Sequence, residues 1–143
     1  MNFETCIKFA NENPVSFLAS IDDKGQPHVR GFLMWYADKT GFYFHTGTMK
    51  AVYKQLKANP KVEICFFNNK QKEDGIMMRL AGEVEFVNDL NLKKRLVEER
   101  QFLKALGFTA ESRELVIFRI YKGEAYFWTM ETNFEPKKPI PFG

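Results

Sequence analysis

The sequence holds little from which a metal site or a disulfide framework could be built. Its 143 residues include two cysteines, Cys6 and Cys65, far apart and outside any CxxC pair, and two histidines, His28 and His45. This spacing predicts no metal and no cross-linked scaffold, and it fits a reducing cytoplasm. No apolar run approaches the length of a membrane span, and the N-terminal MNFETCIKFANENP lacks the basic-then-apolar order of a secretion signal. An excess of one charge sign is missing too. The 21 basic and 18 acidic residues leave a formal net charge of +3 with no block of five like charges, which points to neither a nucleic acid nor a membrane as partner. Also absent are GxSxG, HExxH, Walker-type and GxGxxG patterns, so the common nucleophile, zinc-hydrolase and dinucleotide signatures drop out.

Aromatic and apolar surface is plentiful instead. Phenylalanine alone supplies 15 positions, and 45% of the chain is hydrophobic, enough for one ordinary core. Residues 1–131 read as one domain and 132–143, ending EPKKPIPFG, as an extended Pro/Lys-rich tail. Phe3, Ile7 and Ala10 have a helical spacing that Asn13-Pro14 ends. Strands are predicted over 15–21, 27–36, 42–45, 61–68 and 76–87, and a last hairpin, 114–121 with 124–130, turns at Lys122-Gly123. The segment PHVRGFLMWY at 27–36 is apolar on both faces and is expected to be central. Residues 69–75 read as a charged loop. A long helix is predicted from a cap at Asp89 to about Leu106, with Lys93, Lys94, Glu98 and Arg100 on a face turned to water. Six or seven strands, two short helices and one long one point to a mainly-β fold, a small antiparallel barrel with helices at its ends.

The densest chemistry lies in FYFHTGTMKAVYKQLKANP, residues 42–60. A strand passes through His45-Thr46-Gly47-Thr48 into a helix that Asn59-Pro60 ends. The first N–H groups of a helix lack partners and, with the helix dipole, favour an anion. Lys50 falls in the first turn, where a cation is unfavourable by about 0.3–1 kcal/mol unless something negative lies beside it. If Asp38 faces Gly41 across their turn, the register carries Arg30 opposite Met49 and toward Thr46, Thr48 and Lys50. Two cations from separate elements then meet at one corner lined by hydroxyls.

These residues resemble the pyridoxamine 5'-phosphate oxidase-like family of FMN-binding split barrels. The likeness rests on PHVRGFL at 27–33, on FYFHTGTMK at 42–50 followed by Leu56, Asn59 and Pro60, and on RLAGEV at 79–84. The order of elements matches from about residue 15 to residue 130. The resemblance implies an antiparallel split barrel and a homodimer that binds FMN in grooves at the subunit interface. By carry-over, Arg30, Thr46, Thr48 and Lys50 would hold the FMN phosphate, with Met49 in the same motif. The backbone of Gly31, Phe32 and Leu33 and the His45-Thr46 segment would line the isoalloxazine edge, and Met77 and Trp128 would lie over the ring from the partner subunit. His45 is the candidate for proton transfer, since histidine titrates near neutrality.

The activity so implied is that of an FMN-dependent oxidoreductase, moving electrons from an NAD(P)H-type donor to an unknown small substrate. Relatives that oxidise pyridoxamine phosphate carry a further C-terminal segment whose tryptophan and arginines grip the substrate. Here the sequence runs into the Pro/Lys tail, and Met77 stands where some relatives have glutamine, so that oxidase activity itself is not expected. Two other readings stay open on the sequence: a non-catalytic flavin module for storage or sensing, and a split barrel that binds haem or deazaflavin. A single-strand nucleic-acid barrel could use Phe42, Phe44, Phe66 and Phe67 for stacking, but these alternate as core residues do.

Overall fold

The computed structural model describes residues 1–69 and 75–143, so most of the charged loop expected at 69–75 lies outside the described residues. Helix α1 (Phe3–Glu12) starts at Asn2, whose side chain accepts from the Thr5 N–H while the Thr5 hydroxyl accepts from the Asn2 N–H. A reciprocal cap of this kind stabilises a helix by about 1 kcal/mol. There follow β1 (Val15–Ile21), β2 (Pro27–Leu33), β3 (Tyr36–Asp38), β4 (Gly41–Gly47) and α2 (Ala51–Ala58). The second half holds β5 (Lys61–Asn68), β6 (Ile76–Val87), α3 (Leu90–Glu99), α4 (Phe102–Ala105), β7 (Leu115–Trp128) and β8 (Ile140–Phe142).

The strands pair antiparallel in the order β2-β1-β5-β6-β7-β4-β3, with β8 beside β7. The fold is a mainly-β split barrel. Its sheet curls around Leu18, Phe44, Phe66, Leu80 and Phe118, all fully buried. The two ends of the sheet, β2 and β3, are one stretch of chain parted at Met34-Trp35, and there the barrel is split. Leu96, Leu103 and Ile117 form a second, smaller core under α3 and α4.

Five expectations need correction. The stretch 27–36 is not one central strand: β2 pairs with β1 alone and forms an edge, leaving Val29 69% and Leu33 52% exposed. At the corner the Met34 N–H donates to Pro14 and the Trp35 N–H to Tyr43, so β3 turns away to pair with β4. Asp38 does face Gly41, but that ladder stops at Tyr36, and Arg30 lies opposite Leu18 of β1 instead of Met49.

The expected hairpin at Lys122-Gly123 is a bend within a single 14-residue strand, β7. Gly123 faces Gly82 of β6, and the register slips by one residue beside them, leaving Tyr121 as a bulge. Two glycines let the strands approach closely where the sheet curls. The long helix is broken at Arg100, whose backbone (φ −118°, ψ 79°) leaves the helix. The expected extended tail ends in β8, which places Phe142 against Phe3 (ring centroids 4.9 Å, stacked) and Phe42 (5.5 Å, edge-on).

Candidate functional site

Strand β4 delivers Thr46 into the barrel wall, where it is 4% exposed and its Oγ1 has no hydrogen-bond partner. A buried hydroxyl left unpaired costs on the order of 1–3 kcal/mol, so its presence needs a reason. The chain then closes a tight turn: the Thr48 N–H donates to Glu114 (2.9 Å) and the Lys50 N–H to Gly47 (3.0 Å). Lys50 is the N-cap of α2, just before the first turn, with extended backbone and no side-chain cap on the helix. Its side chain is exposed and has no carboxylate partner among the described residues.

Arg30 reaches the same helix by another route. Its guanidinium donates to Ser20 Oγ (2.8 Å), to the Leu18 carbonyl (3.2 Å) and to Gln55 Oε1 on α2 (2.8 Å). Every acceptor is neutral. Burial alone lowers its pKa, as expected of a cation without a counter-charge. Thr46 and Lys50 thus lie on the segment that leads into the uncapped start of α2, and Arg30 meets the same helix at Gln55 in its second turn, giving one orphaned donor and two unneutralised cations. These are the groups a phosphate requires, and the residues present fit one.

The sequence reading missed Arg100. It continues the four-residue spacing of Leu92 and Leu96, which places it on the apolar side of α3 and not on the solvated face. That spacing was the available signal. Its fork donates to the carbonyls of Leu33 (3.2 Å) and Met34 (2.9 Å) and meets His45 Nε2 at 3.0 Å. A guanidinium only donates, so Nε2 accepts and His45 carries its proton on Nδ1. Burial first, then Arg100 and Lys50, push the His45 pKa down to about 4. Near neutrality His45 is an uncharged ring whose Nε2 accepts from Arg100 and holds it in place.

This has a consequence for stability. Between pH 6.5 and about 4 the unfolded chain binds a proton at His45 that the folded chain refuses. Stability therefore falls as the pH drops through that window, by on the order of 3 kcal/mol in total. Urea titrations at pH 7 and pH 4.5 should show the loss. His45→Gln, which keeps an acceptor for Arg100, should remove most of the difference, and an unchanged difference would refute the assignment.

The remaining candidates divide by side of the sheet. The Phe32 ring packs inward on Phe44 (5.8 Å) and Phe118 (5.7 Å), leaving only its backbone for a ligand. Gly31 and Leu33 alternate with it on the outer face. Met49 is exposed, its sulfur lying over Gly47. Met77 and Trp128 are direct cross-strand partners, and because Met78 is fully buried, alternation places both on the outer face. Within one chain they do not join Arg30 and Thr46.

An antiparallel split barrel with a phosphate-type seat at a strand-to-helix corner defines a class, and the comparisons specify it. The pattern of the family described as pyridoxamine 5'-phosphate oxidase matches residues 4–128, and the chain belongs to that family. A pyridoxine/pyridoxamine 5'-phosphate oxidase of Pseudomonas putida (strain GB-1) is 37% identical over 122 residues. These are 85% of this chain and 55% of that enzyme, so the chain spans about half the length of this relative. A NimC/NimA family protein from Clostridium acetobutylicum shares the fold at TM-score 0.78 and 25% identity, over 97% of this chain and 91% of that one. An FAD-binding protein from Mesorhizobium loti (TM-score 0.66, 23% identity, 89% and 92% covered) shares the fold. So does HutZ, a heme storage protein from Vibrio cholerae (0.68, 18%, 90% and 95%).

Proposed function

We propose that this protein is a homodimeric FMN-binding oxidoreductase acting on a small molecule. The observation that carries the reading is the buried, unpartnered Thr46 hydroxyl beside an uncapped helix start, with Arg30 and Lys50 free of carboxylates. In this reading Arg30, Lys50, Thr46 and Thr48 hold the phosphate. Arg100, steadied by neutral His45, fixes the Leu33-Met34 corner whose backbone lies along the ring edge. Bound FMN would supply hydride and single-electron chemistry, which leaves the chain to position the reactants and exclude water.

The outer face supports the dimer. Val15, Phe17, Val29, Leu33 and Phe67 are all exposed on adjoining strands β1, β2 and β5. A contiguous apolar patch on a soluble chain marks an interaction surface. Met77 and Trp128 share that face, so each would reach a flavin only across the interface. Cys6 and Cys65 are free thiols, in keeping with a cytoplasmic setting.

Thr46→Val tests the reading directly. Replacing an orphaned hydroxyl by a methyl should raise apo-protein stability by about 1 kcal/mol, while FMN affinity falls about tenfold through loss of a charge-assisted hydrogen bond. A variant that is less stable yet binds FMN unchanged would contradict it. Reduction of the bound flavin by NADH or NADPH, followed by transfer to an acceptor, distinguishes an enzyme from a flavin store.

A further inference from the structure

A groove of about 510 Å³ opens where residues 132–140 fold back over the ends of β6 and β7. That volume suits a small organic molecule. Its walls set rings beside cations: Tyr126 and Trp128 from β7, Arg79 from β6, and Lys137 and Lys138 from the returning segment. The Trp128 indole N–H donates to Asn133 Oδ1 (2.7 Å), which pins the ring while leaving its face for stacking. Lys137 Nζ stands 4.3 Å from the Tyr126 ring centroid and 3.2 Å from its hydroxyl.

The charge balance selects the ligand. Arg79 is neutralised by Glu63, with which it forms an ion pair. Lys137 and Lys138 have no carboxylate partner among the described residues, and Glu135 is the single carboxylate lining the groove. With the Met1 ammonium counted and the Arg79–Glu63 pair set aside, three cations face one carboxylate, an excess of two positive charges. A flat aromatic wall at Trp128 beside surplus positive charge suits a planar anion.

We propose that this groove binds an aromatic or heteroaromatic carboxylate, its ring against Trp128 and its carboxylate toward Lys137 and Lys138. This rests on the flavin reading in one respect, that Met77 and Trp128 line both the groove and the partner's flavin, which makes the carboxylate the substrate-side ligand. The probes are 1-naphthoate and its neutral counterpart 1-naphthamide, titrated calorimetrically into the FMN-loaded protein and into a Lys137→Gln/Lys138→Gln variant. Both lysines are exposed, so the variant should fold. Naphthoate is expected to bind about tenfold tighter than the amide, and the double variant to lose that preference with its flavin absorbance unchanged. Equal binding of the two probes, no binding of naphthoate, or a preference retained in the variant would overturn the inference. The two readings fail separately: protein that retains no FMN but still prefers naphthoate keeps the groove and loses the cofactor.

Discussion

Arg30→Met is expected to weaken FMN binding about 100-fold while leaving apo-protein stability within about 1 kcal/mol of the parent. The two parts of this result have different causes. A guanidinium facing a phosphate makes charge-assisted, often bidentate hydrogen bonds, and about 2.7 kcal/mol of lost binding is a factor of 100. In the absence of the ligand the same guanidinium is partly buried among neutral acceptors and contributes little. Its removal strands nothing polar, because the Ser20 hydroxyl already donates to Gln55 Oε1. Methionine keeps the apolar stem. Had Arg30 been a structural residue, its loss would appear in the melting curve and not in the flavin titration.

Gly123→Ala should cost about 3 kcal/mol or more and lower the melting temperature by about 10 °C. At this position φ is +154°, and an added Cβ would overlap the Ala81 carbonyl oxygen and come within 2.6 Å of the Gly82 Cα. Both obstacles are backbone atoms at the bend that curls the sheet, so no side chain can move aside. Gly25→Ala is the control: φ is +81°, but nothing lies within 4 Å of the added carbon. It should cost only about 1 kcal/mol. Equal effects at the two positions would show that close approach of β6 and β7 does not set the curl.

The same bend shows what the sequence concealed. Lys122-Gly123 between two apolar runs has turn composition, and only the partner glycine at position 82 distinguishes a bend in a long strand from a hairpin. Local pattern carries no information about a residue 41 positions away in the chain. The stretch 27–36 misled for a related reason. Apolar residues on both faces mean that both faces are to be covered, and periodicity does not say whether by this sheet or by another surface.

The residues of the proposed phosphate corner were more legible because they are neighbours in the chain. His45 to Lys50 lie on one strand, turn and helix cap, and the structure keeps them together. Arg30 also arrives beside α2, although through Gln55 and not by the ladder expected across the 38–41 turn. Arg100 was hidden by its charge. A cation that continues a leucine period was assigned to water, whereas burial against the Leu33 and Met34 carbonyls and His45 satisfies the head group.

In the proposed function the Thr46–Lys50 corner seats the phosphate of FMN. The most direct test is the visible absorption spectrum of the purified protein after incubation with excess FMN and desalting. A retained two-band flavin spectrum at about one FMN per chain, lost in the Arg30→Met variant, is the result predicted here. A parent protein that leaves the column colourless would contradict it.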